Sequence, residues 1–258
     1  LLTGAMAEQL DDWLAAERSR GTLPVDQIGA HRLEEVLADV RAITDAAAGP
    51  YGDRLRAKAE SVEVDLRVGD LHLVGVVPDV RPDLLGRVDY GRPKPKRLLR
   101  LWLPWLAMQA MGRGREAVLV TRGKKPYSKK AKRIEQARLS TFPADADPTT
   151  VTDHLAALAD LYVRGHDHPL PVFEEASPEF AVRRLGGADR DAALARAGDK
   201  WVSAPPGRTP WGDGLDPSTI QVFGRLELHD LLAIAPHDDE SGDGWDVDEP
   251  SRFGRLAR

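Results

Sequence analysis

The chain has no cysteine, which excludes disulfides and thiolate metal sites and sets the expectation of a reducing, cytoplasmic setting. No apolar run reaches the roughly 18 residues of a membrane span, and the longest candidate, 98–111, is interrupted by Arg100 and Pro104. No signal-peptide pattern opens the chain. Its first residues, Leu1-Leu2-Thr3, lack an initiator methionine, so a piece of a longer protein is expected. Acidic residues are nearly missing from one stretch: 92–133 holds fourteen Lys/Arg against one acid, Glu116, while the rest has 22 basic and 40 acidic residues. The formal charge of -5 therefore conceals a basic segment in an acidic chain. Because fields act locally, that asymmetry favours contact with a polyanion over the plainer reading of solvated helix and loop positions.

At 258 residues and 42% hydrophobic, the chain can bury a sizeable core. Periodicity predicts an amphipathic helix over 6–20, with Leu10, Trp13 and Leu14 on one face, and a second over 26–48 with Leu33, Val36, Leu37, Val40 and Ile43 as its stripe. Val62, Val64, Leu66 and Val68 alternate with polar residues, Gly69-Asp70 makes a turn, and Leu71, Leu73, Gly75 and Val77 resume the alternation. Gly75 suggests a bulge or close backbone approach. A third strand follows around 85–90, then a helix over 96–111 that Pro104 should kink, then a short apolar strand over 117–121. Lys129 to Arg138 reads as a basic helix or, alternatively, 136–142 as a further strand. Helices are expected over 151–164, ended by Gly165, over 179–197 with a break at Gly186-Gly187, and over 223–234, with loop at 203–219. From 236 to 250 the chain is acidic and poor in apolar residues, which predicts a flexible or surface-hugging segment anchored only by Trp245. The fold class is α/β, a mixed sheet flanked by helices.

The strands carry a motif with one part missing. Metal-dependent nucleases of the PD-(D/E)xK type, with a restriction-endonuclease-like core, use acids at two strand ends to hold Mg²⁺ and a lysine two residues after the second acid to orient or activate water. Pro78-Asp79 and Asp89-Tyr90 supply the acids, but Gly91 stands in the lysine's place. Lys94 and Lys96 lie further on, beyond the strand end. The scaffold is that of a degenerate nuclease, with no catalytic residue, metal or cofactor expected.

Other groupings are weaker. His166-Asp167-His168 with His154 has no legible supporting shell for a metal, and Asp213, Asp216 and Asp238-Asp239-Glu240 lack EF-hand spacing. Trp102 and Trp105 read as core. Gly112-Arg113-Gly114-Arg115 is a helix stop before it is a phosphate contact. Tyr127 and Trp211 are candidate stacking aromatics, each more simply an ordinary loop residue and an apolar plug. For nucleic acid the basic segment offers Arg92, Lys94, Lys96, Arg113, Arg115, Arg122, Lys124, Lys125, Tyr127, Lys129, Lys130, Lys132 and Arg133.

Several ordered pieces resemble the C-terminal region of the RecC family, the gamma chain of exodeoxyribonuclease V. They are Trp13 to Pro24 (WLAAERSRGTLP), the hairpin leading to Leu73-Val74-Gly75, and Lys96 to Leu106 (KRLLRLWLPWL). Leu161 to Gly165 followed by Pro169-Leu170-Pro171, and Gln221 to Gly224, complete the set. The resemblance implies a nuclease-like fold within a helicase-nuclease complex that repairs double-strand breaks. In that family the active nuclease belongs to the RecB chain, whose Asp-Tyr-Lys corresponds here to Asp89-Tyr90-Gly91. It also implies a non-catalytic role in splitting the duplex and docking RecB-like and RecD-like partners. The segment 122–142 is the first guess for a duplex-splitting element.

The expected organisation is N-terminal helices over 1–48, a nuclease-like core over 49–175, a helical and loop extension over 176–235, and an acidic tail over 236–258. Two other functions stay open beside DNA guiding: an Mg²⁺ nuclease using Asp65, Asp79 and Asp89 with a displaced lysine such as Lys94, and a purely structural docking module.

Overall fold

The computed structural model describes residues 4–22, 26–123, 137–207, 209–236, 238, 240 and 249–257. The chain is α/β, with a five-stranded mixed sheet and flanking helices. Its strands are β1 (Glu60–Val68), β2 (Leu71–Val80), β3 (Leu84–Asp89), β4 (Glu116–Arg122) and β5 (Ala137–Phe142), and they neighbour one another in that order. β1 and β2 are joined at Gly69, whose φ of +57° is the left-handed conformation a tight turn needs. β2 and β3 are antiparallel, with Val80 opposite Leu85. Helix α3 (Pro95–Ala110) intervenes between β3 and β4. The Arg122 amide at the end of β4 donates to the Gly91 carbonyl just past the end of β3. The two C-terminal strand ends thus lie together, which is the parallel arrangement such a helical crossover permits.

Packing divides the chain into two compact units that alternate along the sequence: 1–60, 79–93 and 118–141 form the first, and 61–78, 94–117 and 142–258 the second. The first is built on α1 (Gly4–Ser19) and α2 (Asp26–Arg56). Ile43, Ala47 and Tyr51, four residues apart on α2, bury against Leu84 of β3 and Val118 and Val120 of β4. This contact explains why α2 does not stop at residue 48 but continues through Gly49 and Pro50. An interior proline costs about 3 kcal/mol, and burying Tyr51 with Leu55 beside it offsets that penalty. Val40, assigned to the stripe from sequence, is 41% exposed.

The second unit holds α3, α4 (Pro148–Asp167), α5 (Ala176–Leu185), α6 (Arg190–Trp201), a short 3-10 turn (Asp213–Leu215), α7 (Pro217–Phe223), α8 (Leu228–Leu232) and α9 (Arg252–Ala257). Its core joins Phe173, Phe180, Trp201, Leu231 and Phe253, and the Phe173 and Trp201 rings meet edge to face at 4.7 Å. α4 runs through Gly165, where the sequence suggested a stop, and starts three residues before Val151 because Asp147 caps it by accepting from the Thr150 amide at 2.8 Å. Of the helix expected over 223–234 only α8 forms, after the end of α7 at Phe223 and the residues 224–227 between them, and the loop expected over 203–219 contains the 3-10 turn and the start of α7. Gly75 has no atom within 4 Å of where a Cβ would stand, so it marks no close approach. Pro104 lies within α3 without ending it.

The C-terminal residues depart most from what composition suggests. Glu240 is 0% exposed and ion-paired to Arg252, with both guanidinium contacts at 2.8 Å. Glu249 is buried against Arg190 at 3.0 Å and accepts from the Ser251 hydroxyl at 2.7 Å. Phe253 and Leu256 of α9 are buried as well. Trp245 lies outside the described residues.

At the end of α3, Trp105 Nε1 donates to the Pro143 carbonyl at 2.9 Å and Gln109 Nε2 to the Ala144 carbonyl at 2.8 Å. A Cβ on Gly114 would stand 2.6 Å from that Ala144 oxygen. Backbone cannot yield there, so Gly114→Ala is expected to lower stability by about 1–3 kcal/mol, read as a shift of the urea midpoint at constant slope.

Candidate functional site

Of the residues of the expected motif, Asp79, Asp89 and Gly91 fall in the first unit, Asp79 on β2 and Asp89 at the end of β3. Asp79 is exposed and adopts φ +60°, the one non-glycine residue with positive φ among those described. Asp tolerates this conformation better than most side chains. The Arg81 guanidinium stitches the carbonyls of Leu55 at 2.8 Å, Asp79 at 2.9 Å and Gly86 at 3.3 Å, so Asp79 sits across from Gly86. Counting from the Val80–Leu85 pair, Asp79 is one step and Asp89 four steps from the paired position. At the strand rise of about 3.3 Å, the two acids are on the order of 10 Å apart along the strands. The hairpin therefore does not bring them to one point. Among the described residues no cluster of three or more His, Asp or Glu side chains is arranged to hold a metal ion.

Asp89 accepts from the amide of Gly91 at 2.7 Å, the residue in the lysine's place. Arg122 donates its own amide to the Gly91 carbonyl at 3.1 Å. Its guanidinium lies 4.7 Å over the Tyr90 ring, 3.1 Å from the Tyr90 hydroxyl and 3.2 Å from Asp39 Oδ2 on α2. The Arg122 Nε is buried without a hydrogen-bond partner. With its side chain 23% exposed, Arg122 is a half-buried, ion-paired residue. Asp39 was not legible as a site residue, although it stands four residues before Ile43 in the same row as Ala47 and Tyr51, where an acid is out of keeping.

In the second unit, Lys94 and Lys96 come together on one pair of carboxylates. Lys94 Nζ is 2.7 Å from Glu175 and 3.9 Å from Glu174, and Lys96 Nζ is 3.5 Å from Glu174. The hydrogen bond to Glu175 raises the Lys94 pKa above its ordinary value, with partial burial opposing it. The pair's contribution is thus complete below that ordinary value and is lost only as pH rises through the raised one. Glu175 and Ala176 in turn donate their amides to Asp213 at 2.9 and 2.7 Å, and burial pushes the Asp213 carboxyl up despite those bonds. Arg113 is exposed in the turn after α3, and Arg115 is half-buried beside it, donating to the Arg113 carbonyl at 2.9 Å. In the first unit, Arg92 is exposed just beyond β3. Lys124, Lys125, Tyr127, Lys129, Lys130, Lys132 and Arg133 lie outside the described residues.

The remaining groupings resolve simply. Asp65 meets His72 across the β1–β2 turn at 2.6 Å. His154 packs edge-on against Trp102, and His166 against Tyr162. Trp105 is buried, as expected, while Trp211 is 42% exposed and held by a two-way backbone bridge to Ser203. No helix of the described residues is long and apolar enough to cross a membrane.

The fold is thus α/β, a five-stranded mixed sheet with flanking helices, with Asp79 and Asp89 separated along β2 and β3 and Gly91 two residues after Asp89. Residues 1–184 match the RecC C-terminal domain, and the chain belongs to that family. Among similar proteins, the RecBCD enzyme subunit RecC of two Mycobacterium tuberculosis strains is 29% identical over 255 residues, covering 96% of this chain and 20% of the relative. The RecBCD enzyme subunit RecC of Mycolicibacterium smegmatis is 33% identical over 188 residues, covering 73% of this chain and 16% of the relative. The chain spans about a fifth of the length of the relatives it matches.

Proposed function

We propose that the chain is a non-catalytic, nuclease-like domain of a RecC subunit, working in the cytoplasm within a RecBCD-type helicase-nuclease complex that processes double-strand breaks. It guides or splits DNA strands and docks RecB-like and RecD-like subunits. The observation that carries the non-catalytic reading is Gly91. It removes the ammonium group from the motif, Asp89 is engaged with the Gly91 amide, and Arg122 is held by Asp39 and Tyr90. An Mg²⁺ nuclease with Lys94 as displaced lysine is the weaker reading, because Lys94 bonds Glu175 at 2.7 Å. Membership of the RecC C-terminal domain family supports the subunit assignment.

The DNA role rests on the basic segment, whose richest part is 122–133. Lysines near phosphates release condensed counterions, so affinity falls steeply with salt and carries no sequence preference. Fluorescence anisotropy of the full chain with labelled forked DNA tests this. Changing Lys124, Lys125, Lys129 and Lys130 to Ala is expected to flatten the log-affinity against log-salt slope by about 3 and to weaken binding at least tenfold at low salt. An absence of binding at low salt would leave the purely structural docking module as the better account.

A further inference from the structure

We draw no further inference here: the strongest candidate, the open apolar groove between α3 and α5 in the second unit, carries nothing because nothing in the structure shows what covers it.

Discussion

Arg252→Ala is expected to lower the stability of the second unit by about 3–5 kcal/mol, the range for breaking a buried ion pair by removing one partner. The Glu240 side chain is 0% exposed and that of Arg252 6%, so water cannot take over either charge. Arg164 Nη1, at 3.9 Å from Glu240, is too distant to replace two contacts at 2.8 Å. Arg252 also leads into Phe253, which lies in the same core as Phe173 and Phe180, so loosening the pair frees an aromatic anchor. Glu240→Ala is expected to act similarly, leaving the guanidinium stranded. Replacing both by Leu and Met is expected to recover most of the loss, because well-packed apolar pairs often equal a buried ion pair. Urea unfolding of the three variants beside wild type checks this, and a loss under about 1 kcal/mol for Arg252→Ala would show that the pair is hydrated in solution.

The second large effect is expected at Arg122. Arg122→Ala removes a charge-assisted bond to Asp39 and the stack on Tyr90, at a cost of about 2–4 kcal/mol. Arg122→Lys is expected to restore less than half, since an ammonium can neither lie flat on the ring nor bond Asp39 and the Tyr90 hydroxyl from one planar group. A double-mutant cycle with Asp39→Ala isolates the coupling, which should exceed about 1.5 kcal/mol. A coupling near zero would return Arg122 to the open basic surface and make it available to phosphates.

These two clusters also show where sequence reading reaches its limit. Strands β1 to β4, their turn at Gly69 and helix α3 were legible because each is marked by local alternation, spacing or punctuation. The overrun of α2 was not, because the burial of Tyr51 on β3 and β4 is a tertiary fact that outweighs Gly49-Pro50. Likewise, composition registers the acids near the C-terminus as solvating charge, while Glu249 meets Arg190 59 residues away and Glu240 meets Arg252. At the candidate site, the glycine at position 91 was plain from the motif. That Lys94 is engaged by Glu175, 81 residues on, and Arg122 by Asp39, 83 residues back, was not, because a one-dimensional charge count cannot see its own counter-ions. The local charge balance of the basic segment thus leaves out the acids that meet Lys94 and Arg122 from elsewhere in the chain.

The central claim is that the motif strands perform no chemistry. Mg²⁺-dependent DNA cleavage by the helicase-nuclease complex proposed above, measured with wild type and with Asp79→Ala and Asp89→Ala combined in this domain, tests it most directly. The account predicts equal cleavage rates in the two complexes, since the acids are separated along the strands and the lysine position is Gly91. Loss of cleavage in the double variant, with the complex assembled and its DNA affinity unchanged, would contradict it.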